Sequence, residues 1–243
     1  QVESHESTET QNVYASQKSS ETHEMGEDKP SVLAKLLVSG KLEPDKDIGD
    51  LLWYHNSLHE TELQLAKRLD GWSSHTPIRT LYLSRIRGIG PILSSGLIAW
   101  LSPISRFDNI SKLWKYSGLA PGQKRKRGEK LGYNPHVKVL WWKIATSMEK
   151  QTAKKSYYRR LYDRQKKYYS EREDFKQLIL KKEKGVKGHI RNMTLRYIAK
   201  RFAANLWLEW RRLEKLPVTE PYAIGIAGHS GYEKPEVDKP LNN

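Results

Sequence analysis

The sequence predicts an all-α chain: a helical arm, a tandem helix-hairpin-helix and further basic helices, with disordered termini. Three observations carry this reading. Apolar residues recur at three- and four-residue spacings through residues 48–69, 137–148 and 195–213, the period of helices with one buried face. Glycine and proline fall between these stretches, at Gly40, Gly71, Gly88, Gly90, Pro91, Pro103, Gly118 and Gly185, where helices stop or start. Residues 1–29 are rich in Ser, Thr, Glu and Gln with almost no apolar side chain, and residues 217–243 are Pro/Gly-rich. The first stretch is expected to bury too little surface to offset the entropy of ordering, and the second to be unstructured.

Residues 30–72 read as the arm. Residues 31–38 form a short helix stopped by Gly40, and residues 41–47 a proline-containing connector. Leu51, His55, Leu58, Glu62, Leu65 and Leu69 then alternate at four and three residues, with Leu52, Leu63 and Ala66 widening the stripe. The stripe suits a homodimer through a coiled coil at residues 48–69, or a contact with another domain. His55 and His59 share a helix face, but Asn56 stands where a metalloprotease helix needs its Glu and no third ligand is near, so no metal site is expected. Gly71 and Pro77 mark the end of the arm.

Residues 77–216 read as the helix-hairpin-helix domain. Within it, Ser84-Arg-Ile-Arg-Gly-Ile-Gly-Pro-Ile-Leu-Ser-Ser-Gly96 reads as a helix, a glycine turn and a second helix. Gly88 and Gly90 are free to take positive φ, and Pro91 suits the first helical position. Such a turn leaves backbone N–H groups at a helix N-terminus, a seat for a phosphate oxygen that reads little sequence. The apolar flanks Ile86, Ile89, Ile92 and Leu93 serve a plain turn between core helices equally well. Ile78, Leu81, Tyr82 and Ile86 are expected to bury the first helix, and Leu93, Leu97, Trp100 and Leu101 the second. Small Ser94, Ser95 and Gly96 admit a close neighbour. After Pro103 come a short helix at residues 107–116 and a second glycine turn at residues 117–122, so that two hairpins make a backbone clamp.

The densest basic run, Gln123-Lys-Arg-Lys-Arg-Gly-Glu-Lys130, lies between candidate backbone-binding elements, which favours phosphate contact over a merely solvated loop. Asn134 and Pro135 cap and open a helix with Val137, Leu140, Trp141, Ile144 and Met148 at core spacing. Tyr157, Tyr158, Leu161, Tyr162, Gln165, Tyr168 and Tyr169 share a broad face that reads first as packing and second as a base-stacking surface. Residues 171–184 are amphipathic, with Phe175, Leu178 and Ile179 inward, and residues 185–189 read as a turn. The last helix buries Leu195, Ile198, Phe202, Leu206 and Leu213, while Arg196, Lys200, Trp207 and Arg211 share a neighbouring face.

Charge is distributed unevenly. Residues 1–50 hold five Lys/Arg and eleven Asp/Glu, net −6; residues 122–216 hold twenty-eight and nine, net +19. That density attracts a polyanion over roughly a Debye length, ~8 Å at physiological salt, and nucleic acid is the commonest such partner. No apolar run approaches the ~20 residues of a membrane span, and no signal peptide is evident. The absence of cysteine excludes a disulfide framework and thiolate metal sites. The expected location is cytoplasmic and nucleoid-associated.

The order of motifs resembles the C-terminal half of the 110-type insertion-sequence transposases and the Piv-type DNA invertases. The matching residues are Ile86-Arg-Gly-Ile-Gly-Pro91, Phe107, Tyr116-Ser-Gly-Leu-Ala-Pro121, Lys130-Leu-Gly-Tyr-Asn134, and Gly188 with His189 leading into the last helix. Residues 31–40 are similar to the short helix that ends the family's nuclease domain. The resemblance implies a site-specific recombinase whose RuvC-like domain holds Mg²⁺ on four carboxylates, and whose C-terminal domain supplies a serine nucleophile. No RuvC-like domain is expected before Ser31, and Asp28 lies at best near the last carboxylate. Residues 122–132, where the family serine belongs, contain no Ser, Thr or Tyr; Ser117 lies on the wrong side of the motif. The chain is therefore expected to bind DNA, and also a structured guide RNA if it shares that family trait, without cutting on its own. Mg²⁺ is expected only with the nuclease domain. The alternative is a non-enzymatic protein that binds structured RNA. Candidate contacts are Arg85, Arg87, Gly88, Gly90, Lys124, Arg125, Lys126, Arg127, Arg196 and Lys200.

Overall fold

The computed structural model describes residues 30–122, 128, 130–181, 184–218 and 237–240. The polar N-terminal tail, Lys124, Arg125, Lys126 and Arg127, and most of the Pro/Gly-rich tail lie outside the described residues. Among the described residues every regular element is helical. The chain divides into two compact units, one within residues 1–64 and one within residues 65–243.

The first unit holds α1 (Pro30–Val38) and most of α2 (Lys46–Ser73). α1 stops at Gly40, whose φ of +70° costs a side-chain-bearing residue energy. α2 starts two residues before the predicted stretch. Asp45 accepts the Ile48 N–H (2.9 Å), satisfying an otherwise unpaired donor at the helix start. The helix also runs through Gly71, which does not end the arm. The leucine stripe is laid out as its spacing predicts, yet Leu51, Leu58, Leu63 and Leu65 are all exposed. The His55 and His59 rings stack with centroids 6.3 Å apart.

The second unit is organised around α9 (Val186–Leu213), a 28-residue helix. Packed against it are α3 (Pro77–Leu81), α5 (Ile110–Tyr116), α6 (Pro135–Glu149), α7 (Tyr157–Glu171) and α8 (Glu173–Leu180). α4 (Pro91–Leu101) packs on α6. The heart of the core is aromatic. The Phe202 ring meets Tyr158 (5.3 Å) and Trp141 (6.0 Å) edge-on and stacks with Tyr82 (6.5 Å). The buried Tyr158 hydroxyl accepts from Asn205 (2.8 Å), so this polar atom among the rings is satisfied, and burial raises its pKa. Tyr157, Tyr158 and Tyr162 are buried, so the tyrosine face is in its first half a packing face.

Several sequence expectations need correction. The first hairpin helix is only α3. At Tyr82 the chain rewinds into a single 3₁₀ turn, Leu83–Arg85, which buries Tyr82 and Leu83 in succession and leaves Leu81 41% exposed, where a continuing α-helix was expected to bury Leu81. Trp100 is also exposed and lies flat against His136 (5.6 Å). Residues 186–189 are not a turn but the first turn of α9, which begins after Gly185 at φ +85°. Leu213, beyond the last partner of α9, is exposed.

Candidate nucleic-acid interface

Two glycine turns frame α6. Its N-terminus is set by Asn134, whose side chain accepts the N–H groups of His136 (3.0 Å) and Val137 (3.3 Å), with Pro135 at the first position. The same Asn134 reaches back to the Tyr-Ser-Gly-Leu-Ala-Pro segment: its N–H donates to the Tyr116 carbonyl (2.8 Å) and its side-chain amide to the Tyr116 hydroxyl (3.1 Å). Gly118, at φ +67°, lies so close beneath Tyr133 that a Cβ there would meet its ring at 2.9 Å. Two of the quoted motifs are thus one packed object.

At the other end of α6, Ser147 donates to the Gly88 carbonyl (2.8 Å). Gly88 takes φ +89°, as expected. Gly90 does not: its φ of −90° and ψ of −177° are ordinary extended backbone, and a Cβ would meet nothing within 4 Å. Only one of the two glycines is required by conformation. Gly90 is instead the N-cap of α4 and offers no side chain to its N–H groups. An open cleft of about 650 Å³ lies here, lined among others by Arg79, Ser84, Arg85, Gly90, Pro91 and Lys239. Asp70 also lines this cleft and pairs with Arg79 (2.8 Å), so the charge that favours an anion at the helix N-terminus comes from Arg85 and Lys239.

Arg85 and Arg87 are not free fingers. The Arg85 guanidinium donates to the carbonyls of Lys239 (3.0 Å) and Leu81 (3.4 Å). The Arg87 N–H, one of the amides expected to face a phosphate, donates to the Asp238 carboxylate (2.7 Å).

Arg196 and Lys200 are brought to the second turn. Arg196 donates to the carbonyls of Leu119 (3.1 Å) and Ala120 (2.9 Å), with a longer contact to Gly118 (3.5 Å). Lys200 lies 4.4 Å over the Trp114 ring; burial, and then the nearby Arg196 charge, lower its pKa. Arg196 therefore holds the Gly-Leu-Ala-Pro backbone in place, while Lys200 packs on Trp114. Arg196 also lines an open groove of about 460 Å³ with Lys138, Trp142, His189, Asn192 and Leu119. Trp142 is half exposed. Lys138 and Trp142 were not among the expected contacts, although their i, i+4 spacing on α6 puts them on one face, as the spacing of His189, Asn192 and Arg196 does on α9. The rest of its wall is apolar, with Trp141, Met193, Leu195 and Ala199, so the groove suits stacking of a base on the exposed indole, with Lys138 and Arg196 at hand for a phosphate.

Trp207 and Arg211 have packing roles. The Trp207 indole N–H donates to the Phe107 carbonyl (2.7 Å), and the Arg211 guanidinium lies over the Trp207 ring (5.3 Å). Ser117 is fully buried, which removes it from the surface where a nucleophile would meet a phosphodiester. Among the described residues no three His, Asp or Glu side chains come together to hold a metal ion, so the Mg²⁺ carboxylate set implied by the resemblance does not fit them and no metal-dependent step is assigned. Among the described residues no helix is long and apolar enough to cross a membrane.

A model of the family described as Transposase IS116/IS110/IS902 matches residues 81–159. No curated protein and no solved structure matches the chain. The matched stretch runs from the end of α3 to the start of α7, and so includes both glycine turns and the helix between them. Residues 81–159 therefore carry the likeness to the IS116/IS110/IS902 transposase family that the motifs pointed to.

Proposed function

We propose that this chain is the DNA-binding part of a mobile-element transposase or site-specific recombinase, holding the DNA backbone through the hairpin end and the groove beside the second turn. One observation carries the reading: the stretch matched to the transposase family coincides with the two glycine turns, each of which borders a cleft lined in part by basic side chains. The basic run Lys124, Arg125, Lys126 and Arg127 follows the second turn in sequence and adds to the positive charge of this half of the chain. Backbone contacts of this kind release counterions. Affinity for duplex DNA is expected to fall with a log–log salt slope of about −4 or steeper, the mark of four or more neutralised phosphates. Binding of the full chain to a linear duplex, a four-way junction and a structured RNA across a salt series tests it. Equal, weak binding to all three overturns it.

Cutting is not assigned to these residues, because residues 122–132 lack a hydroxyl nucleophile and Ser117 is buried. Nicking of supercoiled plasmid with Mg²⁺ or Mn²⁺, by protein free of contaminating nuclease, would sink that part. A second reading, structured RNA, is favoured by the exposed Trp142 in its groove, since splayed-out bases of folded RNA stack on such rings.

A further inference from the structure

We infer that residues 237–240 are an internal strap that occupies the hairpin end in place of a nucleic-acid phosphate, and that DNA binding displaces it; this rests on the proposed DNA-binding reading.

The strap is docked by its backbone and by one carboxylate. The N–H groups of Asp238 (2.9 Å) and Lys239 (3.1 Å) donate to the Arg85 carbonyl, and the Lys239 carbonyl accepts from the Arg85 guanidinium (3.0 Å). One Asp238 carboxylate oxygen accepts the Arg87 N–H (2.7 Å) and the other the Tyr157 N–H (2.6 Å). These two amides belong to elements far apart in sequence, the hairpin turn and the start of α7. Both donors converge on one anionic group with two oxygens, which is the geometry a phosphate diester presents. Lys239 and Pro240 form part of the wall of the cleft at the α4 N-terminus. The hairpin thus has its turn amide, its Arg85 side chain and one side of its cleft taken by the same four residues.

Displacing the strap frees the Arg87 and Tyr157 N–H groups and the Arg85 guanidinium, donors that a phosphate satisfies, while the Arg85 carbonyl, which accepts two strap N–H groups, passes to water. A site open for only a tenth of the time binds its ligand about tenfold more weakly than the open form, and removing the competitor restores that factor.

The test compares the full chain with Asp238→Asn, which keeps the shape but turns an N–H₂ toward one of the two donors. Glu173→Gln is the charge-matched control, on an exposed residue away from the strap whose partner is Gln177. Affinity for a labelled duplex is read by fluorescence anisotropy at fixed salt. Asp238→Asn is expected to bind about tenfold tighter than the unsubstituted chain, and Glu173→Gln within about twofold. Equal affinities for the two variants overturn the strap while leaving DNA binding in place. If neither the chain nor any variant binds, both readings fall. Amide hydrogen exchange on the unsubstituted chain is a second, independent readout that does not depend on the variant folding. Saturating DNA should speed exchange at Asp238 and Lys239, and unchanged or slower exchange there overturns the inference.

Discussion

The two glycine turns at the ends of α6 are stabilised from different distances. Gly118 and its neighbours are held by side chains on all sides: Tyr133 above, Asn134 behind, Arg196 across three carbonyls. The Gly88 turn has one such tie, Ser147, and the N–H of its neighbour Arg87 is satisfied by Asp238, which lies 151 residues away. A turn pinned by its own surroundings serves as scaffold. A turn completed by a detachable carboxylate is suited to exchange that partner for a ligand.

Substitutions can break this comparison. Gly118→Ala should be the most damaging, about 3 kcal/mol in chemical denaturation, because it combines left-handed backbone with an overlap against the Tyr133 ring. A tolerated alanine would mean that the second turn is not pinned. Gly88→Ala should cost less, about 1–2 kcal/mol: its φ of +89° is the more strained of the two, but the nearest atoms, Gln151 Cγ and the Ser147 carbonyl group, stand 3.3 Å away and leave no overlap like that with Tyr133.

Glu149 sharpens the comparison from the end of α6 that touches the first turn. It accepts from Arg191 (2.7 Å) and from the Tyr162 hydroxyl (2.6 Å). Partial burial works to raise its pKa, but these hydrogen bonds outweigh burial and hold it below the ordinary carboxyl value. A carboxyl whose folded pKa is depressed stabilises the fold above its unfolded pKa and loses that contribution as pH falls through the folded value. Glu149→Gln should therefore cost about 1 kcal/mol at neutral pH, with Arg191 partly screened by solvent, and the difference from the unsubstituted chain should vanish in acid. Unfolding midpoints across pH would show it; a constant difference at every pH would contradict it. Gly90→Ala should have the smallest effect, within about 0.5 kcal/mol, because its backbone is ordinary and its surroundings open. A large loss there would restore Gly90 as a conformational requirement.

Much of this was legible in the sequence. Asn134-Pro135 announced the start of α6, and the spacing of Leu195, Ile198, Phe202 and Leu206 announced the face that α9 buries, because caps and periodicity are local signals. Four apolar residues from Ile78 to Ile86 looked like one helix because a 3₁₀ rewinding at Tyr82 is decided by which neighbours need filling. Two glycines in one turn looked equivalent because φ is not written in residue type. The part played by Asp238 was illegible for a plainer reason: its partners lie 81 and 151 residues away. Lys138 and Trp142 were readable by spacing alone, but the stronger core signal of Trp141 beside them masked their shared face.

The 15 residues of α6 also make it a ruler. At 1.5 Å per residue it is ~22 Å long, whereas successive phosphates along one strand advance ~3.4 Å, so turns fixed at its two ends are set about six nucleotides apart. On the proposed DNA-binding reading, oligonucleotides shorter than that would reach one turn at a time. Lengthening a duplex past about seven base pairs should therefore raise affinity in a step rather than a slope, the signature of two tethered contacts engaging the same strand.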